Sequence, residues 1–137
     1  MTKQLLWLDD YRNPLEKDWL RFSPIGYNVD VHWVKTYQEF TDWVMIYGLP
    51  DAVCFDHDLH YEHMKWYFDN GGNENPPNPI DAKFVNRTGY DCAVWLCKYC
   101  DINKLDLPLY NIQSHNKWGT KNIDEYLKNW LNQNKKI

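Results

Sequence analysis

Short strand-like runs in this chain stop at polar clusters. Gln4-Leu5-Leu6-Trp7-Leu8 runs into Asp9-Asp10-Tyr11-Arg12, Asp51-Ala52-Val53-Cys54-Phe55 into Asp56-His57-Asp58, and Leu109-Tyr110-Asn111-Ile112-Gln113 into Ser114-His115-Asn116. Helical patterns separate these runs, so the economical fold is a parallel sheet with crossover helices. In such a sheet, ligands collect outside the carboxyl ends of the strands, where strand order reverses. Carboxylates repeated at those ends point to a hard cation, and through it to phosphate chemistry.

The rest of the chain supplies the crossovers. Residues 14–22 read as a short helix with Pro14 in its first turn. Residues 27–34 read as a strand, with Val29, Val31 and Trp33 alternating against Asp30, His32 and Val34. Thr36 followed by Glu39 is a capping-box pattern for a helix that presents Tyr37, Phe40, Trp43, Val44 and Tyr47, and Gly48 and Pro50 end it. Residues 57–87 carry no sustained period and include Asn70-Gly71-Gly72-Asn73-Glu74-Asn75-Pro76-Pro77-Asn78-Pro79. A loop that long is uncommon in a compact domain unless it is functional or disordered. Thr88 caps a helix over 88–100, a strand follows over 107–113, and 119–130 is an amphipathic helix with Ile123, Tyr126, Leu127 and Trp130 on one side.

Right-handed crossovers applied to this order give one doubly wound α/β domain over 1–137, with a mostly parallel four-stranded sheet of order 2-1-3-4. That order sets the ends of the first and third strands side by side, so Asp9, Asp10, Asp56 and Asp58 share one crevice. There is no internal repeat.

Composition narrows the function classes. The net charge of −4 removes nonspecific binding to duplex nucleic acid, which needs a basic face. No apolar run approaches 18 residues, which excludes a helical membrane span, and Met1-Thr2-Lys3-Gln4 opens no signal peptide; a cytoplasmic setting is the expectation. Aromatics make up 17% of the chain, enough to build both a core and flat platforms for bases. Cys97 and Cys100 form a CxxC pair on a helix with no second pair of ligands, so these two, with Cys54 and Cys92, read as reduced structural thiols.

The chemistry follows from charge. Carboxylates gathered at close range cannot all ionise without a cation, and a divalent ion resolves the repulsion. Arg12 is placed to clamp a phosphate. His57, between two aspartates, is placed as a general acid or base. Taken singly, an Asp at a strand end is more often a turn former or N-cap, and a lone Arg a surface ion-pair partner. His32 and His63 read as surface or packing residues, and His60 is undecided.

Four segments carry a family resemblance: Leu8-Asp9-Asp10-Tyr11-Arg12-Asn13-Pro14, Phe55-Asp56-His57-Asp58-Leu59, Thr88-Gly89-Tyr90-Asp91, and Asn116-Lys117-Trp118-Gly119-Thr120-Lys121-Asn122-Ile123. With these the chain resembles the cyclic-phosphate processing receiver domains, distant relatives of response-regulator receivers, and the likeness spans most of the chain outside 60–86. The resemblance implies a receiver-like (flavodoxin-like) fold in which Asp9, Asp10 and Asp56 hold Mg²⁺ or Mn²⁺. His57, Asp58 and Ser114 would line the pocket, and Asn116 and Asn122 would shape the last strand-to-helix loop. The family pattern has a His before the serine. Here that place holds Gln113, and His115 follows Ser114, so His115 substitutes if the strand continues. The lysine that receivers carry on a fifth strand has no counterpart, which argues against ordinary phosphorelay.

The expected activity is a metal-dependent phosphoesterase acting on a cyclic or terminal phosphate of a nucleotide or RNA. Asp56, Asp58, and His57 or His115 would be catalytic, with Arg12, Ser114, Asn116 and Asn122 on the substrate. The alternatives are a module that binds a nucleotide without turnover, and a divergent receiver that accepts phosphate on Asp56. In the 60–86 insertion, Tyr61, Trp66, Tyr67, Phe68 and Phe84 form either a lid that stacks on a base or, the favoured reading, a self-packed excursion.

Overall fold

The computed structural model describes residues 2–134. Its sheet has four strands, β1 (Lys3–Leu8), β2 (Val29–Val34), β3 (Ala52–Phe55) and β4 (Leu109–Ile112), all parallel and in the order β2-β1-β3-β4. The expected order stands. Register matters more than order in placing the strand-end carboxylates. Leu8 lies opposite both Val34 and Phe55, and Phe55 opposite Ile112, so all four strands end level. The ladder continues one residue further: Asp9 N–H donates to the Val34 carbonyl (3.0 Å), Asp56 N–H to Leu8 (3.0 Å) and Gln113 N–H to Phe55 (2.9 Å). Asp9, Asp56 and Gln113 are therefore fixed at one height on the carboxyl edge.

Strand alternation splits the core in two. Leu6, Leu8, Val34, Val53 and Phe55 face the helices α1 (Tyr37–Tyr47), α3 (Gly89–Asn103) and α4 (Lys117–Gln133). Leu5, Trp7, Ala52 and Cys54 face the opposite layer. That layer corrects one expectation. The helix foreseen over 14–22 is a single 3₁₀ turn, Trp19–Phe22, because Lys17 and Asp18 both take φ of 47° and interrupt any helix before it. Trp19, Leu20, Phe22 and Ile25 cover this face as an irregular crossover.

Local rules explain the helices. Thr36 caps α1 by accepting from Glu39 N–H (3.0 Å), and Glu39 accepts in turn from Lys35 N–H (2.9 Å), one residue outside the usual box. Gly48, at φ 83°, ends the helix. Phe40 and Val44 are buried as expected, but Tyr47 is exposed. Thr88 and Asp91 form a complete capping box on α3, which runs three residues past the expected end. Asn116 caps α4, which starts two residues earlier than foreseen.

The 57–87 segment is more regular than its sequence suggests. It holds α2 (Tyr61–Asp69) and a 3₁₀ turn at Pro79–Asp81. Its ends are tied by His63, whose Nδ1 accepts from Leu59 N–H (2.9 Å) and whose Nε2 pairs with the Asn86 carbonyl (2.6 Å). Glu62 adds to this by accepting from Val85 and Asn86 N–H (2.8 Å each). Its middle is tied to α4 through Trp118 Nε1 to the Pro76 carbonyl (3.0 Å) and Asn122 Nδ2 to Asn78 Oδ1 (2.8 Å). Phe84 packs edge-on against His63 and Trp66, while Tyr61 and Phe68 stay exposed. His63 is thus a packing residue. All four cysteines are free and buried, and burial pushes the Cys54 and Cys97 thiols up to about 12. No described helix is long and apolar enough to cross a membrane.

Candidate functional site

The level strand ends bring Asp9, Asp10 and Asp56 together, with one carboxylate oxygen of each within 4.8 Å of the others. Asp9 and Asp56 are buried and Asp10 is partly open. Asp9 is held by its own turn: Oδ1 accepts from Tyr11 N–H (3.2 Å) and Arg12 N–H (3.0 Å), while the indole of Trp33 donates to its carbonyl (2.7 Å). Burial, then the charge of Asp9, keeps the Asp56 carboxyl well above its ordinary 3.8, and Arg12 offsets only part of this. Burial and Asp9 raise Asp10 as well. Three oxygen donors under mutual repulsion form a set suited to a hard divalent cation.

Arg12 does not point outward. Its Nη1 lies 2.8 Å from Asp9 Oδ2, 3.8 Å from Asp56 Oδ1 and 2.9 Å from the Gln113 carbonyl, and its guanidinium sits by the rings of Tyr11 (5.0 Å) and Trp19 (5.3 Å). Burial opposes its charge, but the Asp9 hydrogen bond and charge raise its pKa regardless. Gln113 turns inward too, with Nε2 donating to the Leu8 carbonyl (2.9 Å). Two buried atoms beside the trio, Arg12 Nε and Gln113 Oε1, have no partner among the described residues. Such atoms cost about 1–3 kcal/mol each, a cost tolerated where function requires the arrangement.

The other aspartate of the cluster is set differently. His57 Nδ1 lies 2.6 Å from Asp58 Oδ1, and Asn116 Nδ2 donates to the same oxygen (3.3 Å). Burial would raise the Asp58 pKa, yet these two hydrogen bonds and the His57 charge hold it below the ordinary carboxylate value. Asp58 therefore stays anionic where Asp56 resists ionising.

Two glycines make this packing possible. A Cβ on Gly89 would overlap the Asp56 carbonyl, and Gly89 N–H donates to the His57 carbonyl (2.8 Å). The first turn of α3 thus rests on the Asp56–His57 backbone. A Cβ on Gly119 would lie 2.7 Å from His57 Cβ and 2.8 Å from its Cδ2, so α4 can press on the imidazole only without a side chain there.

A sequence model of the cyclic-phosphate processing receiver domain matches residues 4–129. The chain belongs to that family. No curated protein and no solved structure matches it.

Within this receiver domain the remaining sequence-picked residues separate into three places. Ser114 Oγ accepts from Asn116 N–H (3.0 Å), fixing the turn that starts α4, and Asn116 accepts from Gly119 N–H (2.9 Å) as the cap. Asn122 lines a small chamber of about 40 Å³ with His57, Thr88 and Tyr90. His115 is exposed. The strand ends at Ile112, so His115 does not share a strand face with buried Gln113; it borders a cavity against α2 together with Asp58 and Asn116. Met64 and Asn73, which also line that cavity, escaped sequence reasoning because nothing in the 57–87 pattern marked a helix.

Proposed function

We propose that this domain is a metal-dependent phosphoesterase acting on a cyclic or terminal phosphate of a nucleotide or RNA. The observation that carries the reading is the convergence of Asp9, Asp10 and Asp56 oxygens within 4.8 Å on level strand ends. These residues would hold Mg²⁺ or Mn²⁺; the donor set is all oxygen and electrostatically strained, which fits either ion. Once bound, the ion would polarise a phosphoryl oxygen and lower the pKa of a coordinated water.

The side chains around it take separate tasks. Arg12 cancels part of the trio's charge and fixes Asp9, so it positions the ligands rather than gripping phosphate. His57, only 2% exposed and pinned between Asp58 and Gly119, orients Asp58. Asp58 stays charged at the rim, and exposed His115 beside it is the group placed to pass a proton to a leaving oxygen. The Ser114 hydroxyl accepts from Asn116 N–H, and no described acceptor takes its O–H, which would donate to a phosphoryl oxygen. A second reading, binding without turnover, is favoured by the commitment of Arg12 to Asp9 and Gln113, which leaves that cation turned away from a phosphate.

Hydrolysis of nucleoside 2′,3′-cyclic phosphates, 3′,5′-cyclic nucleotides and RNA ending in a cyclic phosphate, with Mg²⁺ or Mn²⁺, separates the two. Turnover that disappears in Asp9→Asn and Asp56→Asn supports the esterase. Ligand-induced thermal stabilisation without product supports the binding module.

A further inference from the structure

The cavity beside Asp58 has the make-up of a base-binding pocket. It measures about 400 Å³, inside the range of small-molecule sites. Met64, Tyr67 and Phe68 occupy positions i, i+3 and i+4 of α2 and so form one wall, and Asn73, Asp58, His115 and Asn116 complete the lining. Phe68 is 58% exposed and Met64 46%, apolar surface left open where the chain had partners available for Phe84 and Trp66.

The wall is built rather than incidental. Gly71 and Gly72, at φ 125° and 54°, turn the chain back under α2, and Gly72 N–H donates to the Tyr67 carbonyl (2.9 Å). A Cβ on Gly72 would come within 3.1 Å of the Phe68 ring. The same turn brings Asn73 Oδ1 to the Tyr67 hydroxyl (2.9 Å), and the Tyr67 and Phe68 rings meet edge to face at 5.3 Å. The aromatic faces are thus held in place before any ligand arrives.

The polar groups select the occupant. Asp58 Oδ1 is taken by His57 and Asn116, whereas no described donor reaches Oδ2. A carboxylate oxygen only accepts, so it calls for an N–H on the ligand, and the Asn73 amide N–H, which no described acceptor takes, adds a donor for a ring nitrogen or carbonyl. Asp58 also acts on Asp10 and Asp56 through space, which ties the pocket to the acidic crevice. We propose that this cavity holds an amino-substituted purine, stacked on the Phe68 ring and bordered by Tyr67, with its exocyclic amine on Asp58, while the attached phosphate lies at Asp9, Asp10 and Asp56. Only the phosphate half of this placement rests on the phosphoesterase reading.

The test is calorimetric titration with adenosine, adenosine 2′,3′-cyclic phosphate and uridine 2′,3′-cyclic phosphate, with Mg²⁺ and with EDTA. The expected result is adenosine cyclic phosphate binding about tenfold or more tightly than its uridine counterpart, and about tenfold weakening by Phe68→Ala. Phe68 is mostly exposed, so this variant should keep the wild-type unfolding temperature and Mg²⁺ response, which reports that fold and acidic trio are intact. Adenosine binding that survives Asp56→Asn but falls with Phe68→Ala supports the pocket even where the phosphate reading fails. Equal affinity for the two bases, adenosine binding unchanged by both Phe68→Ala and Tyr67→Ala, or no binding by any probe would overturn it.

Discussion

Replacing Asp56 by Asn should make the metal-free domain more stable, although it removes a buried ion-pair partner. Two unit charges 4.8 Å apart repel by about 3.5 kcal/mol at an effective dielectric of about 20, and Asp56 faces two such neighbours, Asp9 and Asp10. At the same dielectric, Arg12 at 3.8 Å returns about 4 kcal/mol. About 3 kcal/mol of repulsion is left before desolvation is added. Partial protonation relieves some of this at neutral pH, so the realised gain on substitution is about 1–2 kcal/mol, or about 3–8 °C in Tm for a domain of this size. The packing cost is small. Asn Oδ1 can still accept from His57 N–H, and Arg12 keeps Asp9 and the Gln113 carbonyl.

The pH dependence has a definite sign. The folded-state pKa of Asp56 lies well above 3.8, so its contribution to stability is complete below about 3.8 and is lost as pH rises through the folded value. Wild type and Asp56→Asn should therefore coincide near pH 4 and separate toward pH 8, with the variant the more stable in EDTA. Mg²⁺ at about 100 times its Kd should add about 2.7 kcal/mol to the wild type and nothing to the variant, reversing their order. Differential scanning calorimetry at the two pH values, with and without Mg²⁺, measures all of this. A less stable Asp56→Asn in EDTA at pH 8 would refute the claim that these carboxylates confront one another.

Two further outcomes rest on packing. Gly119→Ala, which at an ordinary helix position would gain about 0.5–1 kcal/mol, should instead lose about 1–2 kcal/mol because its Cβ meets the His57 ring; urea midpoints at pH 7.5 check this. His63, held neutral by burial with Nδ1 accepting from Leu59, has a pKa below its ordinary 6.5. The unfolded chain takes up a proton that the folded one refuses, so stability falls as pH drops through about 6.5, and His63→Gln should flatten that slope in urea melts at pH 7.5 and 5.5.

Strand order and the acidic trio were legible because both arise from short-range signals. Each strand is a short apolar run with a polar stop, and right-handed crossovers leave little freedom in placing them. The two segments that depart from expectation lack such signals. In α2, nine residues long, the buried side chain is His63 while Tyr61, Met64 and Phe68 stay out, so the apolar pattern reports no core-facing stripe. Helices that short are marginal alone, and this one holds through tethers to residues 85 and 86, more than twenty positions away. Residues 14–22 look helical by composition, but what they cover is a sheet face, and an irregular chain carrying Trp19, Leu20 and Phe22 covers it as well.

Arg12 shows a different limit. An arginine just past an acidic pair at a strand end invites a phosphate, yet Asp-Asp-Tyr-Arg also spells a turn in which the first Asp accepts from the two N–H groups ahead of it. That turn carries the guanidinium back over the Asp9 carboxylate, three residues earlier, and its charge goes to the ligand set. The glycines complete the same logic. Gly89 and Gly119 stand in motifs that sequence alone marks but does not explain. Each is a place where a helix end touches the Asp56–His57 segment, so a single methyl at either would push α3 or α4 off the strand end that carries the site. The motifs Thr88-Gly89 and Gly119-Thr120 thus encode how closely two helices approach one dipeptide, and through it where the Asp56 and Asp58 carboxylates point.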